Sequence, residues 1–282
     1  MALTGTDRRE DGEEGAAVEG RGAGRSRGNR GNRENTVLFA AALLVAVGGL
    51  IYELILGTAA SYLIGDSVLS FSLATGITLF GMGVGSLLVG RVRGAPATVF
   101  AVNEILLGLV GGNSVAVLYA AFGLTRMHWW VFGTVSLLIG ILIGLEIPLL
   151  VKTFAQFGRR SSVELLSKVL AIDYFGALIA SLVFPLVLLP RLGLMRGAYL
   201  VGALNVAVAM VVLHQVDAPR RVIAAGTVAA VALTGLYCGA SRLERTIDTR
   251  IYSDPIVYYQ QTSYQKIVLT KYGQDLRLYL NG

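Results

Sequence analysis

The chain has 282 residues, 54% of them hydrophobic and 15% charged, where soluble domains carry about 25% charged. Its net charge is +6, but the basic residues flank apolar runs as the positive-inside bias of membrane proteins requires, so no nucleic-acid partner is expected. A single cysteine, Cys238, excludes an intrachain disulfide framework, and His128 and His214 lie at opposite ends of different apolar runs, so no metal site is expected.

Residues 1–35 form a Gly/Arg/Glu-rich tail whose seven acidic residues equal its seven arginines. Too little apolar surface is available there to offset the entropy of ordering, so the tail is expected to be disordered. It lacks the short apolar core and small-residue cleavage site of a secretory signal. Seven apolar segments follow, near Val37–Gly57, Leu69–Gly90, Ala97–Ala121, Trp129–Val151, Val169–Leu189, Gly197–His214 and Val222–Ala240. Each approaches the roughly 20 residues that cross a bilayer core. Trp129 and Trp130 open the fourth segment as an interface anchor. Ser161 and Glu164 in "SSVE" fit a capping box, which starts the fifth helix before the membrane. Pro148 and Pro185 are expected to bend the fourth and fifth helices.

Glycines recur four residues apart, at Gly81 and Gly85, Gly108 and Gly112, Gly140 and Gly144, and Gly235 and Gly239. This spacing lets helix backbones meet closely in lipid. The run "GMGVG" lies inside an apolar segment with no strand before it, which makes it a packing face rather than a nucleotide loop. The expected fold is an all-α polytopic membrane helix bundle of about seven transmembrane helices over residues 36–240. A short β-hairpin segment follows in residues 241–282.

Counts of Lys and Arg in the successive connectors favour a cytoplasmic N-terminus, which with seven crossings places the C-terminal segment outside. Four carboxylates fall inside predicted spans: Glu53, Glu104, Glu146 and Asp173. An ionised carboxylate at mid-bilayer costs about 3 kcal/mol on insertion scales, and none of the four has a basic residue three or four positions away. Two readings stay open. The acids form an intramembrane cation or proton site, or they pair with snorkelling Lys152, Lys168 or Arg91 and hydrogen-bond to nearby polar groups.

After Ala240 the pattern changes to period two. "YQKIVLT" and "LRLYLNG" alternate about Gly273, the signature of a hairpin with one apolar face. A hairpin alone is marginal in water, so the segment is expected to be the truncated start of a soluble β domain or to pair with a partner.

The stretch "SYQKIVLTKYGQDLRLYLNG" resembles the opening strands of the spermidine synthase (polyamine aminopropyltransferase) family. There a Tyr-Gln pair begins a strand, and Leu-Asn-Gly or Leu-Asp-Gly closes the next hairpin. "YELILGTAASYLIGDSVLSFSLATGITLFGMGVGSLL", "GLEIPLL" and "AIDYFGALIASLVFPLVLLP" are similar to the seven-span N-terminal extension of some bacterial members. The resemblance implies aminopropyl transfer from decarboxylated S-adenosylmethionine, a co-substrate rather than a bound prosthetic group, to putrescine or a related amine. It places Gln265 against that donor. The family's glycine-rich nucleotide loop and catalytic aspartates lie beyond the hairpin, with no counterpart in these 282 residues, so the fragment alone is expected to be inactive. It also implies a cytoplasmic domain, because the donor is made inside cells, and this conflicts with the charge count. The partners expected are the lipid bilayer and a polyamine substrate, with a homo-oligomer left open. The alternatives are a cation or polyamine transporter that uses the intramembrane carboxylates and a non-catalytic membrane scaffold.

Overall fold

The computed structural model describes residues 10–124, 128–157, 162–251, 254–261 and 266–280, and side chains within the first helix from Thr36 onward. The helices are α1 (Glu10–Ile64), α2 (Ser67–Leu88), α3 (Pro96–Leu124), α4 (His128–Phe157), α5 (Ser162–Val183), α6 (Leu189–Leu213) and α7 (Arg220–Ile251). The strands are β1 (Ile256–Gln261), β2 (Lys266–Tyr272) and β3 (Asp275–Leu280). The tail read as disordered is helical in its backbone from Glu10. Residues added to the end of a formed helix avoid the nucleation cost that a free helix of that composition would bear.

Among the described residues, six helical stretches are long and apolar enough to cross a membrane, with mean hydropathies of 1.6 to 2.3. One of them, Val163–Leu213, has 51 residues. At 1.5 Å rise per residue it would extend about 77 Å, more than twice a bilayer core. It does not run straight. Pro185, which has no N–H to give, lies in a π-helical turn over Phe184–Leu188. The helical path then breaks at Gly193, at φ +72° and ψ −179°. Beyond the break, Gly197 packs against the Leu188 side chain. Pro148 lies within α4, which continues to Phe157. Ser161 lies outside the described residues, and α5 does start seven residues ahead of the predicted fifth segment.

Glycine spacing sets the helix neighbours. A Cβ on Gly81 would stand 2.8 Å from the Leu137 carbonyl oxygen, and one on Gly85 would meet the Ile141 carbonyl. In return, Gly140 and Gly144 face the backbone of Thr78 and Met82. The register rises together on both helices, so α2 and α4 run parallel. Ser86 Oγ adds a hydrogen bond to the Gly144 carbonyl at 2.9 Å. Gly108 meets Gly202 in the same way, where a Cβ would stand 2.6 Å from the Gly202 carbonyl oxygen, and Gly112 lies against Gly202 and Ala198. That register falls as α3 rises, so α3 and α6 are antiparallel. Gly235 and Gly239 depart from the expectation, since nothing stands within 4 Å of a Cβ on either.

Buried positions account for 56% of the apolar windows of α1 and α3 but 17% of that of α7, so α1 and α3 are central and α7 peripheral. Outward faces stay apolar: Phe80, Leu87, Leu182, Leu186, Val228 and Val231 are all exposed. Two cores fill the interior. The larger contains Tyr52, Ile55, Leu107, Ile139 and Tyr199. The smaller contains Leu38, Phe100, Leu149, Phe154 and Val212.

The C-terminal hairpin is two strands of a three-stranded antiparallel sheet ordered β1-β2-β3. Tyr272 pairs with Asp275 across a two-residue turn, where Gly273 takes φ +59°, a conformation that suits glycine. The apolar run ends at Ala240, but α7 continues to Ile251, so the sheet begins later than expected. Charge stops a helix from being apolar without stopping it from being a helix.

The glycine seams yield a paired prediction. Gly144→Leu drives a side chain into the Met82 backbone and is expected to lower stability by about 3 kcal/mol. Gly235→Leu projects into open space and is expected to stay within about 0.5 kcal/mol of the parent. Denaturant unfolding of both variants in detergent checks the contrast.

Candidate functional site

Between the two apolar cores lies a layer of polar side chains, each placed near where a helix passes from one core to the other. On α3, Asn103 and Glu104 follow Phe100 of the smaller core and precede Leu107 of the larger. On α4, Glu146 lies between Ile139 and Leu149. Asp173 of α5 falls between Val169 and Ala180. Glu104 is 0% exposed and Glu146 4%, whereas Asp173 is half-buried.

Sequence reading expected four acids, and the structure brings three of them near one another. Glu146 is close enough to interact electrostatically with both Glu104 and Asp173. Glu53, on α1, is half-buried. Its neighbour Tyr52, about 100° around the same helix, turns inward instead and lies close enough to interact with Glu104 and Glu146. Tyr52 is 0% exposed, and its ring covers Gly111 of α3, where no side chain intervenes. The Tyr52 hydroxyl, both Glu104 oxygens, Glu146 Oε1 and Asn103 Oδ1 have no hydrogen-bond partner among the described residues.

Of the partners that would make these acids merely structural, the basic ones lie elsewhere, while Asn103 is close enough to interact with Glu104. Lys152 Nζ donates to the Val89 carbonyl at 3.2 Å. Lys168 Nζ pairs with Glu164 at 2.6 Å, and Arg91 is exposed.

Sequence reasoning missed Tyr52, Asn103 and Asn205. Asn103 Nδ2 donates to the Leu142 carbonyl at 3.0 Å and ties α3 to α4 one turn from Glu146. Asn205 of α6 is 0% exposed, and a Cβ on Gly48 of α1 would stand 2.8 Å from its Oδ1. An asparagine in an apolar helix is the signal that marks both, since a buried amide there needs a partner, although Asn113 of α3 carries the same signal and bonds only to the Leu109 carbonyl of its own helix. Tyr52 carries a weaker one, its four-residue spacing from Gly48 along one face of α1.

Gln265, the residue placed against the donor by resemblance, lies outside the described residues, immediately before β2. The described sheet shows one buried row, Val268 and Thr270, and one open row. Across the open face Leu269 pairs with Leu278 and Ile267 with Leu280, while Leu276, Leu278 and Leu280 are exposed. Arg277 anchors the far strand, pairing with Asp254 at 3.0 Å and lying 5.1 Å from the centre of the Tyr272 ring.

Asn103→Leu removes the α3–α4 side-chain bond while keeping the volume. It is expected to lower bundle stability by about 1 kcal/mol, read as a downward shift of the unfolding midpoint in detergent.

No family profile matches the chain, and no solved structure matches it. Individual proteins do. The chain is 41% identical over 258 residues to "Polyamine aminopropyltransferase 1" of Streptomyces coelicolor, covering 87% of this chain and 49% of that protein. It is 40% identical over 255 residues to the polyamine aminopropyltransferase of Leptospira interrogans, covering 88% of this chain and 50% of the relative. It is 38% identical over 264 residues to that of Mycobacterium tuberculosis, covering 89% and 50%. The chain thus spans about half the length of the curated relatives it matches, and the homologues found through the bundle are polyamine aminopropyltransferases.

Proposed function

We propose that this chain is the membrane-embedded portion and opening β-sheet of a polyamine aminopropyltransferase, a multi-pass protein of the cell membrane. The reaction moves an aminopropyl group from decarboxylated S-adenosylmethionine to putrescine or a related amine. The amine nitrogen attacks the carbon beside the sulfonium. A C–N bond forms, the C–S bond breaks, methylthioadenosine leaves, and the amine proton passes to a base. Positioned carboxylates hold the cationic substrates, and a base keeps the amine neutral.

The observation that carries this reading is identity of about 40% across 87% of the chain, which takes in most of the helical bundle as well as soluble sequence. A shared bundle is more specific than a shared catalytic fragment, because apolar helices alone impose little sequence. The open apolar row on the sheet fits the same reading, as a face ready to be covered by further catalytic structure. The outward apolar faces and the six long apolar stretches support a bundle in lipid, with Val163–Leu213 contributing two of seven crossings by its break at Gly193. Gln265, entering β2, supplies a contact to the donor.

The test uses the full coding sequence, expressed and assayed in washed membranes with decarboxylated S-adenosylmethionine and putrescine. Spermidine and methylthioadenosine are expected in equal amounts, both in the membrane fraction. Neither product from folded protein, over a range of amines, would overturn the reading. Gln265→Ala is expected to raise the KM for the donor about 10-fold and to leave that for the amine unchanged. A reporter fused after the sheet is expected to be active in the cytoplasm, where the donor is made, which with seven crossings puts the N-terminus outside, against the count of basic residues in the connectors.

A further inference from the structure

The transferase reading has no use for the polar layer inside the bundle, yet that layer is costly. Two carboxylates, Glu104 and Glu146, are 0% and 4% exposed on adjacent helices and interact with each other. Two like charges this close inside an apolar bundle cannot both persist without compensation. The compensation is not a basic side chain. On α1 the titratable group facing the pair is Tyr52, and on α5 it is Asp173. No ionisable residue occurs in α2. On α6, Arg191 is exposed, and Arg196 is engaged with Ser241 and lies 6.0 Å from the Tyr237 ring. On α7, Arg220 and Arg221 are exposed at the helix start. Lys152 and Lys168 bond elsewhere.

What surrounds the pair is instead a surplus of acceptors. Glu104 Oε1 and Oε2, Glu146 Oε1 and Asn103 Oδ1 are buried and without partners among the described residues. Tyr52 adds a hydroxyl that is fully buried, unpartnered and close enough to interact with both acids. Asn103 Nδ2 donates to the Leu142 carbonyl and its amide lies close enough to Glu104 to interact with it, so Asn103 supports one acid while its Oδ1 stays unpartnered among the described residues. Burying an unpaired acceptor is unfavourable and burying an unpaired charge far more so. An all-oxygen set with no cationic side chain suits a proton or a hard cation, and the described residues hold no cluster of three or more ligating acids, histidines or cysteines such as a divalent ion would need, which favours a monovalent charge.

We propose that Glu104 and Glu146, with Asn103 Oδ1 and the Tyr52 hydroxyl, form a binding site for a monovalent positive charge in the centre of the bundle. The charge is a proton or an alkali-metal ion. The site depends on the packing of α1, α3 and α4 and not on the transferase activity, so the two readings fail separately.

The experiment is infrared difference spectroscopy on the full chain in lipid nanodiscs, at neutral pH in alkali-free buffer, followed by addition of sodium or potassium chloride. If a proton fills the site, the C=O stretch of a protonated carboxyl is present, shifts in D2O and is lost in the double variant Glu104→Gln/Glu146→Gln. If an alkali ion fills it, sodium or potassium raises the thermal unfolding midpoint of the parent and leaves that of the double variant unmoved. Should the double variant fail to fold, Glu146→Gln alone serves, with a weaker band or a smaller salt-dependent shift expected. Tyr52→Phe is expected to move the frequency of the band, or the salt response, without abolishing it. A parent with no protonated carboxyl and no alkali-dependent stabilisation overturns the proposal, as does a band or salt response unchanged in every variant.

Discussion

Everything in this bundle depends on how closely four helix backbones can approach. The outer and inner faces of these helices are both apolar, so apolarity alone distinguishes poorly between one packing and another. Close backbone contact does distinguish them. Gly81 and Gly85 meet the α4 backbone while Gly140 and Gly144 meet that of α2, each glycine removing the side chain that would hold the other helix away. The seam made by Gly108, Gly112 and Gly202 does the same for α3 and α6. With α2 fixed to α4 and α3 fixed to α6, the remaining freedom lies in how α3 meets α4, and there the bond from Asn103 to the Leu142 carbonyl sets the register. The polar layer follows, because that register brings Glu104 and Glu146 together.

The extent to which this was legible in the sequence differs from element to element. Apolar run length located the helices, since a bilayer core demands about 20 residues whatever their order. Glycine spacing located the seams at Gly81, Gly85, Gly140 and Gly144, but the same spacing at Gly235 and Gly239 leads to no seam. Spacing reports that a helix can be approached, and only a facing helix decides that it is. The end of α7 was misplaced because the loss of hydropathy after Ala240 reads as an end of structure, while Arg242, Leu243 and Glu244 are sound helix formers. Strand β1 was missed for the same reason, since its residues fell where a connector was expected, and "IVYYQQ" lacks a clean alternation.

The site shows the same division. Residue type alone marked Glu104, Glu146 and Asp173, because acids are conspicuous in an apolar run. It marked Glu53 equally, and nothing in composition says that Tyr52, one position earlier, is the residue that turns inward. That is decided by Gly111 on another helix, which leaves the space the tyrosine ring occupies. A side chain's role in a bundle is thus set by what the facing helix lacks as much as by what its own helix carries.

The bundle and the sheet meet through the most loosely held element. α7 is peripheral, held against α6 by Arg196 with Ser241 and Tyr237, and by Gly226 against Met210. Its extension past Ala240 carries Glu244, whose carboxylate accepts a hydrogen bond from the Tyr259 hydroxyl of β1 at 3.1 Å. Such exposed polar contacts contribute little free energy individually, so the sheet is tied to the bundle by the covalent continuity of α7 and by a small direct contact of β1 with α6. Elements joined in this way move relative to each other more easily than elements sharing a core. α3 also packs directly on α7, where Gly112 faces Leu233 and Gly226 faces Ile105, so the bundle reaches the helix that leads to the sheet from α3 as well as through the contacts of Arg196 on α6.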